Sequence, residues 1–295
     1  MNVVNSPIAR SVVVGGRGAV GRLYVNLLCE EGTVTVFDLI AAGGDRHSIQ
    51  GDACALSAAT QLELSEADLA VIALPESAAL RALPGVAAQL PKGAAVADTL
   101  SVKSAVCPAL ARAADLHGLE AVSLNPMFAP ALGFAGRPVA VVNIASGPVT
   151  SRLRWLMEQA GARLVDVDAE VHDVAAASLQ AATHAAILGF GQALTILGTP
   201  LETLVELAPP PHLALLALLA RICSGAPEVY WDVQASNLHA AAARHALAEG
   251  ITELDRLAGE PVEQFSQHVA LLQDWLGPAR GELAARAARL MSELR

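Results

Sequence analysis

Three glycines, Gly16-x-Gly18-x-x-Gly21, stand between an apolar run, Ser11-Val12-Val13-Val14, and a stretch with helical spacing that ends at Leu28. At this spacing Gly16 permits a tight turn, Gly18 lets the backbone approach a pyrophosphate, and Gly21 allows helix and strand to pack closely. Asp38 ends the next apolar run, Thr33-Val34-Thr35-Val36-Phe37. A carboxylate there binds ribose hydroxyls and repels a 2′-phosphate, which favours NAD over NADP. Arg17, Ala19 and Val20 complete the turn. The Arg17 guanidinium has two readings, a contact to phosphate or a solvated loop arginine.

Further along, Leu74 and Pro75 close a third strand-like run, 69–74, and Asp98-Thr99-Leu100-Ser101-Val102-Lys103 follows a fourth, 94–98. Ligands of open α/β sheets sit at this carboxyl edge of the strands. Ser101 either hydrogen-bonds the substrate or nicotinamide amide, or caps the helix that follows. Asn125 lies in Ser123-Leu124-Asn125-Pro126-Met127-Phe128-Ala129-Pro130. Its carboxamide donates and accepts hydrogen bonds but takes no proton near neutral pH, as an imidazole would.

Strand signals alternating with helical ones through this half predict a doubly wound parallel sheet, extended by 121–124, 139–143 and 163–167. After Asp168 the strand signals stop. One long Ala-rich helix over 170–197 is expected, then a loop at Pro209-Pro210-Pro211 and further helices over 213–223, 232–250 and 261–295. The expected fold is thus α/β, a Rossmann-type domain over 1–168 followed by an all-helical domain over 169–295.

The composition agrees. The 295 residues exceed the usual single domain, and the 54% hydrophobic content is largely alanine and aliphatic, with aromatics at 3%. A net charge of -10 argues against nucleic acid or an anionic membrane surface as partner. Four cysteines form no CxxC pair, so neither a zinc site nor a disulfide framework is expected. No secretory signal is read at the start, and the longest apolar run, 213–219, is too short for a bilayer. A soluble, cytoplasmic protein is expected. The Ala- and Leu-rich helices exceed what one small helical domain needs to bury, which predicts a homodimer through that region.

The chain resembles the prephenate dehydrogenase family over nearly its whole length. The resemblance rests on residues 15–23, 98–103 and 125–130, on Val171-His172-Asp173, on 180–191 and on Tyr230-Trp231-Asp232. Within the family it is most similar to the branch acting on 4-amino-4-deoxyprephenate in antibiotic pathways. That likeness adds Leu124, Thr183-His184-Ala185, Ala208-Pro209-Pro210-Pro211-His212 and 215–221. Asn125 stands where prephenate dehydrogenases carry a catalytic histidine. Thr183 and Leu213 replace arginines of those enzymes, and His239 falls where an arginine would hold a substrate carboxylate. Arg244, about one helical turn on, either reaches back to compensate or is a solvated helix arginine.

The resemblance implies NAD-dependent oxidative decarboxylation of a cyclohexadienyl carboxylate, with a dimer formed through the helical region. It implies catalytic roles for Asn125 and Ser101 and substrate contacts from Met127, Thr183, His184, His239 and Arg244. Gly16, Arg17, Gly18, Ala19, Val20, Gly21, Asp38, Leu74 and Pro75 would hold the cofactor. His184 and His172 have a plainer reading as packed helix residues with one nitrogen satisfied, and His212 and His245 have weaker claims. Tyr230 and Trp231 are read as core or dimer-interface residues. Two alternatives stand beside this one: a prephenate or arogenate dehydrogenase that uses another base, and an inactive NAD-binding dimeric scaffold.

Overall fold

A computed structural model describes residues 8–40 and 47–294. Strands β1 (Arg10–Val14), β2 (Thr33–Asp38), β3 (Ser48–Gln50), β4 (Leu69–Ile72), β5 (Ala95–Asp98), β6 (Glu120–Pro126), β7 (Pro138–Ala145) and β8 (Arg163–Asp166) form one sheet. Its order is β3-β2-β1-β4-β5-β6-β7-β8. Neighbours run parallel except β6 and β7, which pair antiparallel. The doubly wound parallel sheet expected from the sequence is present, with one antiparallel pair at that seam. Between these two strands lies only a short 3₁₀ turn, Pro130–Leu132, and a parallel crossover needs a longer connection, usually a helix.

The strands are apolar on both faces, as a sheet covered on both sides requires. Val12, Val14, Ile72 and Val96 pack on one face with Leu83, Val86 and Leu110, which belong to α3 (Glu76–Gln89) and α4 (Val106–His117). Val13, Leu69, Val71 and Leu124 point the other way, against Tyr24, Leu153 and Met157 of α1 (Ala19–Leu28) and α5 (Pro148–Gln159). A further helix, α2 (Ala58–Ser65), precedes β4.

The chain divides into two compact units, at Ala176 and Ala177. The helix α6 (Ala169–Ala176) belongs with the sheet, because Asp173 accepts the backbone N–H groups of Lys103 and Ser104, each at 2.8 Å. The long helix expected over 170–197 is interrupted by a π turn, Ala177–Ala181, before α7 (Ala182–Leu197). Together Ala169–Leu197 is long and apolar enough to cross a membrane by length and composition alone, a test that helices of soluble proteins also pass.

The second unit is helical: α7, α8 (Leu201–Leu207), α9 (Pro210–Cys223), α10 (Pro227–Ala235), α11 (Ala240–Ala258), α12 (Val262–Leu276) and α13 (Ala279–Glu293). Pro210 begins α9 rather than lying in a loop, a position where the missing proline N–H costs nothing. Gly191 of α7 receives Leu219 of α9; a Cβ there would stand 2.7 Å from a Leu219 methyl. The buried centre is small, built around Ala181, Val233 and Ala240. Leu197, Leu207, Trp231, Leu271 and Trp275 are exposed, so Trp231 is not a core residue of the single chain.

Candidate active site

Strand β1 runs into Gly15, whose φ of 79° lies in the left-handed region that favours glycine. Gly21, in the first turn of α1, approaches that turn so closely that a Cβ would stand 2.1 Å from the Gly15 carbonyl oxygen. Gly18 precedes α1, and no side chain caps the helix's first turn. The first N–H groups of α1, from Ala19 and Val20 onward, therefore remain for an anion. Asp38, at the end of β2, accepts the N–H groups of Arg17 at 2.9 Å and Ile40 at 3.0 Å. It braces the glycine turn, and its oxygens keep further lone pairs. A hollow beside it is lined by Gly15, Asp38, Gly51, Ala53, Leu74 and Ala78. A turn that side chains would block, an uncapped helix start and a carboxylate at the next strand end fit a dinucleotide.

Arg17 is half-buried, and its Nη2 donates to the Ser48 hydroxyl at 3.0 Å. That corrects the reading of a solvated loop arginine. Pro75 precedes α3. Ser101 is half-buried, and α4 starts only at Val106 with Ala105 before it, so Ser101 is not its cap.

Asn125 sits near the carboxyl end of β6 and is 1% exposed. Its Nδ2 lies 3.0 Å from Nε2 of His172, whose Nδ1 lies 2.8 Å from Oδ1 of Asp173. Both nitrogens of His172 are thus engaged, where sequence reading expected one. Burial pushes the Asp173 carboxyl up, but hydrogen bonds from His172 and from the Lys103 and Ser104 N–H groups outweigh it and hold the group below its ordinary range. Beneath these residues lies Lys103, wholly buried, with Nζ 2.8 Å from the Leu124 carbonyl and 3.3 Å from Oδ1 of Asp98. The ammonium ties the end of β5 to the residue preceding Asn125. Next to Asn125, Met127 donates its N–H to the Pro138 carbonyl at 3.1 Å.

The glycine turn, Asp38, Leu74, Ser101 and Asn125 thus stand at the carboxyl edge of parallel neighbouring strands. Thr183, His184, His239 and Arg244 belong to the helical unit. There Thr183 is exposed, and the His184 ring meets Tyr230 edge-on at 5.0 Å between centroids. Burial, then the nearby Arg221, pushes His184 down from its ordinary value. His239 immediately precedes α11. Arg244 is exposed, as a solvated helix arginine is, and its Nη1 donates to the backbone carbonyl and Oε1 of Gln234, both at 2.9 Å. Gln234 in turn donates to the Ala181 carbonyl in the π turn at 2.8 Å. Sequence reading missed Lys103, Asp173 and Gln234 as organising residues. The adjacent pair His172-Asp173 at the start of a helical stretch was the available signal.

No protein-family profile matches the chain. It is 44% identical over 98% of its length, and 98% of the relative's, to the 4-amino-4-deoxyprephenate dehydrogenase of Streptomyces pristinaespiralis. The T-protein of Enterobacter agglomerans is 29% identical, over 75% of this chain and 55% of that protein. Among solved structures, prephenate dehydrogenase from Aquifex aeolicus in complex with hydroxyphenyl propionate and NAD+ superposes with a TM-score of 0.70. That match spans 95% of this chain and 99% of the other at 15% identity, a likeness of fold. With a relative this similar end to end, and with the glycine turn and the Asn125 strand edge in place, the chain belongs to the prephenate dehydrogenase family of oxidoreductases.

Proposed function

We propose that the protein catalyses the NAD-dependent oxidative decarboxylation of 4-amino-4-deoxyprephenate to 4-aminophenylpyruvate. The observation that carries this is Asn125, a buried carboxamide held by His172 at the sheet edge. The bound nicotinamide supplies a hydride acceptor. The C4–H bond breaks with its electron pair leaving as hydride, and the lone pair of a neutral C4 amine forms the C=N bond of an iminium. The C1–carboxylate bond then breaks, carbon dioxide leaves, and its electrons return through the ring to nitrogen, giving the aromatic amine. No base is required. A C4 hydroxyl would become a protonated ketone on hydride loss, which a general base avoids by about 10²–10⁴-fold.

Asn125 orients the amine and offers its carbonyl oxygen to positive charge developing on nitrogen. Ser101 is assigned the nicotinamide amide or the substrate, and Met127 the ring. In the helical unit, Thr183, His184, His239 and Arg244 are assigned to the substrate side. Oxidation of the hydroxy substrates with another base is disfavoured by His172, which is 3% exposed with both nitrogens engaged. An NAD-binding scaffold without turnover would keep the glycine turn and Asp38 but has no need of a buried carboxamide held by His172 at the strand edge. Incubation with the amino substrate and NAD, followed by mass spectrometry, tests the proposal. Equal yields of NADH and 4-aminophenylpyruvate are expected, and NADH without the decarboxylated product contradicts it.

The protein is further proposed to act as a soluble, cytoplasmic homodimer. Exposed Leu197, Trp231, Leu271 and Trp275 of the helical unit supply apolar surface that a second copy would cover. A sedimenting species of monomer mass at micromolar concentration would contradict this.

A further inference from the structure

We infer that His172 and Asp173 form a positioning relay that decides which end of the Asn125 carboxamide meets the substrate. The inference rests on the reaction proposed above and assigns residues that have no part in it so far. Asp173 is 2% exposed and receives three donors: the Lys103 N–H, the Ser104 N–H and Nδ1 of His172, each at 2.8 Å. Such a carboxylate is an acceptor only. It therefore selects the imidazole tautomer with the proton on Nδ1, which leaves Nε2 with a lone pair. That lone pair faces the Asn125 amide at 3.0 Å. The –NH₂ end must turn toward it, since a carbonyl oxygen there would face another acceptor with both atoms buried.

A carboxamide has two ends, so fixing one fixes the other. Oδ1 is left for the C4 nitrogen, where it accepts an amine N–H that becomes a stronger donor as the iminium forms. The opposite orientation would present –NH₂ to a nitrogen gaining positive charge and would oppose the reaction. The same Asp173 holds the backbone at Lys103 and Ser104, so one carboxylate sets both the segment carrying Ser101 and the orientation of Asn125. His172 touches no reacting atom in this arrangement; it is a positioning residue.

Two measurements on the full-length protein test the relay. Imidazole ¹⁵N NMR of histidine-labelled enzyme, with the His172 signal assigned by its loss in His172→Gln, should show the Nδ1–H tautomer. The Nε2–H tautomer overturns the inference. Turnover of the amino substrate should stay close to wild type in His172→Gln, whose side-chain oxygen can accept in place of Nε2. In His172→Phe, which keeps bulk but no acceptor, kcat should fall by roughly 10- to 100-fold with the KM for NAD unchanged. Wild-type kcat in His172→Phe beside a slowed Asn125→Ala overturns the relay and leaves the proposed reaction standing. Wild-type kcat in both variants overturns the relay together with the role given to Asn125. If His172→Phe does not fold, the tautomer of the wild-type enzyme decides.

Discussion

Replacing Lys103 by methionine should be among the most damaging single changes that leave side-chain volume nearly intact. The ammonium is 0% exposed, 2.8 Å from the Leu124 carbonyl and 3.3 Å from Asp98, itself 1% exposed. Methionine fills the space but leaves the buried Asp98 carboxyl without its cation, held by little beyond the Leu100 N–H at 2.9 Å. Breaking a buried pair from one side costs about 3–5 kcal/mol, whereas removing both charges is often close to neutral. At about 2–4 °C per kcal/mol for a domain of this size, the melting temperature should drop by roughly 6–20 °C. The double variant Asp98→Asn/Lys103→Met should recover part of that, keeping a loss of about 1–3 kcal/mol for the unpaired Leu124 carbonyl. Thermal and urea unfolding followed by circular dichroism measure both. A Lys103→Met protein within about 1 kcal/mol of wild type would refute the claim that this charge pair anchors the strand edge under Asn125.

Asp38→Ala should weaken NAD binding by about 10- to 100-fold and NADP binding less, read by calorimetric titration with each; an unchanged preference removes Asp38 from the cofactor site. Asp173, held below its ordinary 3.8 by its hydrogen bonds despite burial, stabilises the fold fully above that value and ceases to as pH falls through its depressed one. Melting temperature should therefore fall in acid, and Asp173→Asn should be less stable at pH 7 yet show a shallower acid decline; an identical acid limb would contradict this. Glu31, lowered by its hydrogen bond to Arg152, and Asp166, lowered by Arg154, contribute with the same sign, so the variant is compared with wild type at each pH. Asn125→His should add a titrating group to the rate profile and admit slow prephenate oxidation, limited by Thr183, Leu213 and His239. A profile without a new inflection would argue against a base being the missing element.

The Rossmann-type half was legible because its signals are local: an apolar run, a glycine turn and a carboxylate at the next strand end. The antiparallel pairing of β7 was not read, although the short connection without a helix between Asn125 and Val139 carried the information. The Asn125–His172 contact joins residues 47 positions apart, and no local pattern reports which imidazole nitrogen faces which partner. The two readings of Arg17 stayed open in the sequence because a side chain's direction depends on Ser48, on another strand. The π turn at Ala177–Ala181 lies in alanine-rich sequence that reads as plain helix; its Ala181 carbonyl is met by Gln234 from a distant helix, a tertiary event.

The central claim is that the substrate carries an amine where prephenate carries a hydroxyl. Initial rates of NADH formation at saturating NAD, compared for 4-amino-4-deoxyprephenate, prephenate and arogenate, test it most directly. The account predicts a kcat/KM for the amino substrate at least about 100-fold above either hydroxy compound, the lower bound for a reaction missing its general base. Comparable turnover of prephenate or arogenate would contradict it.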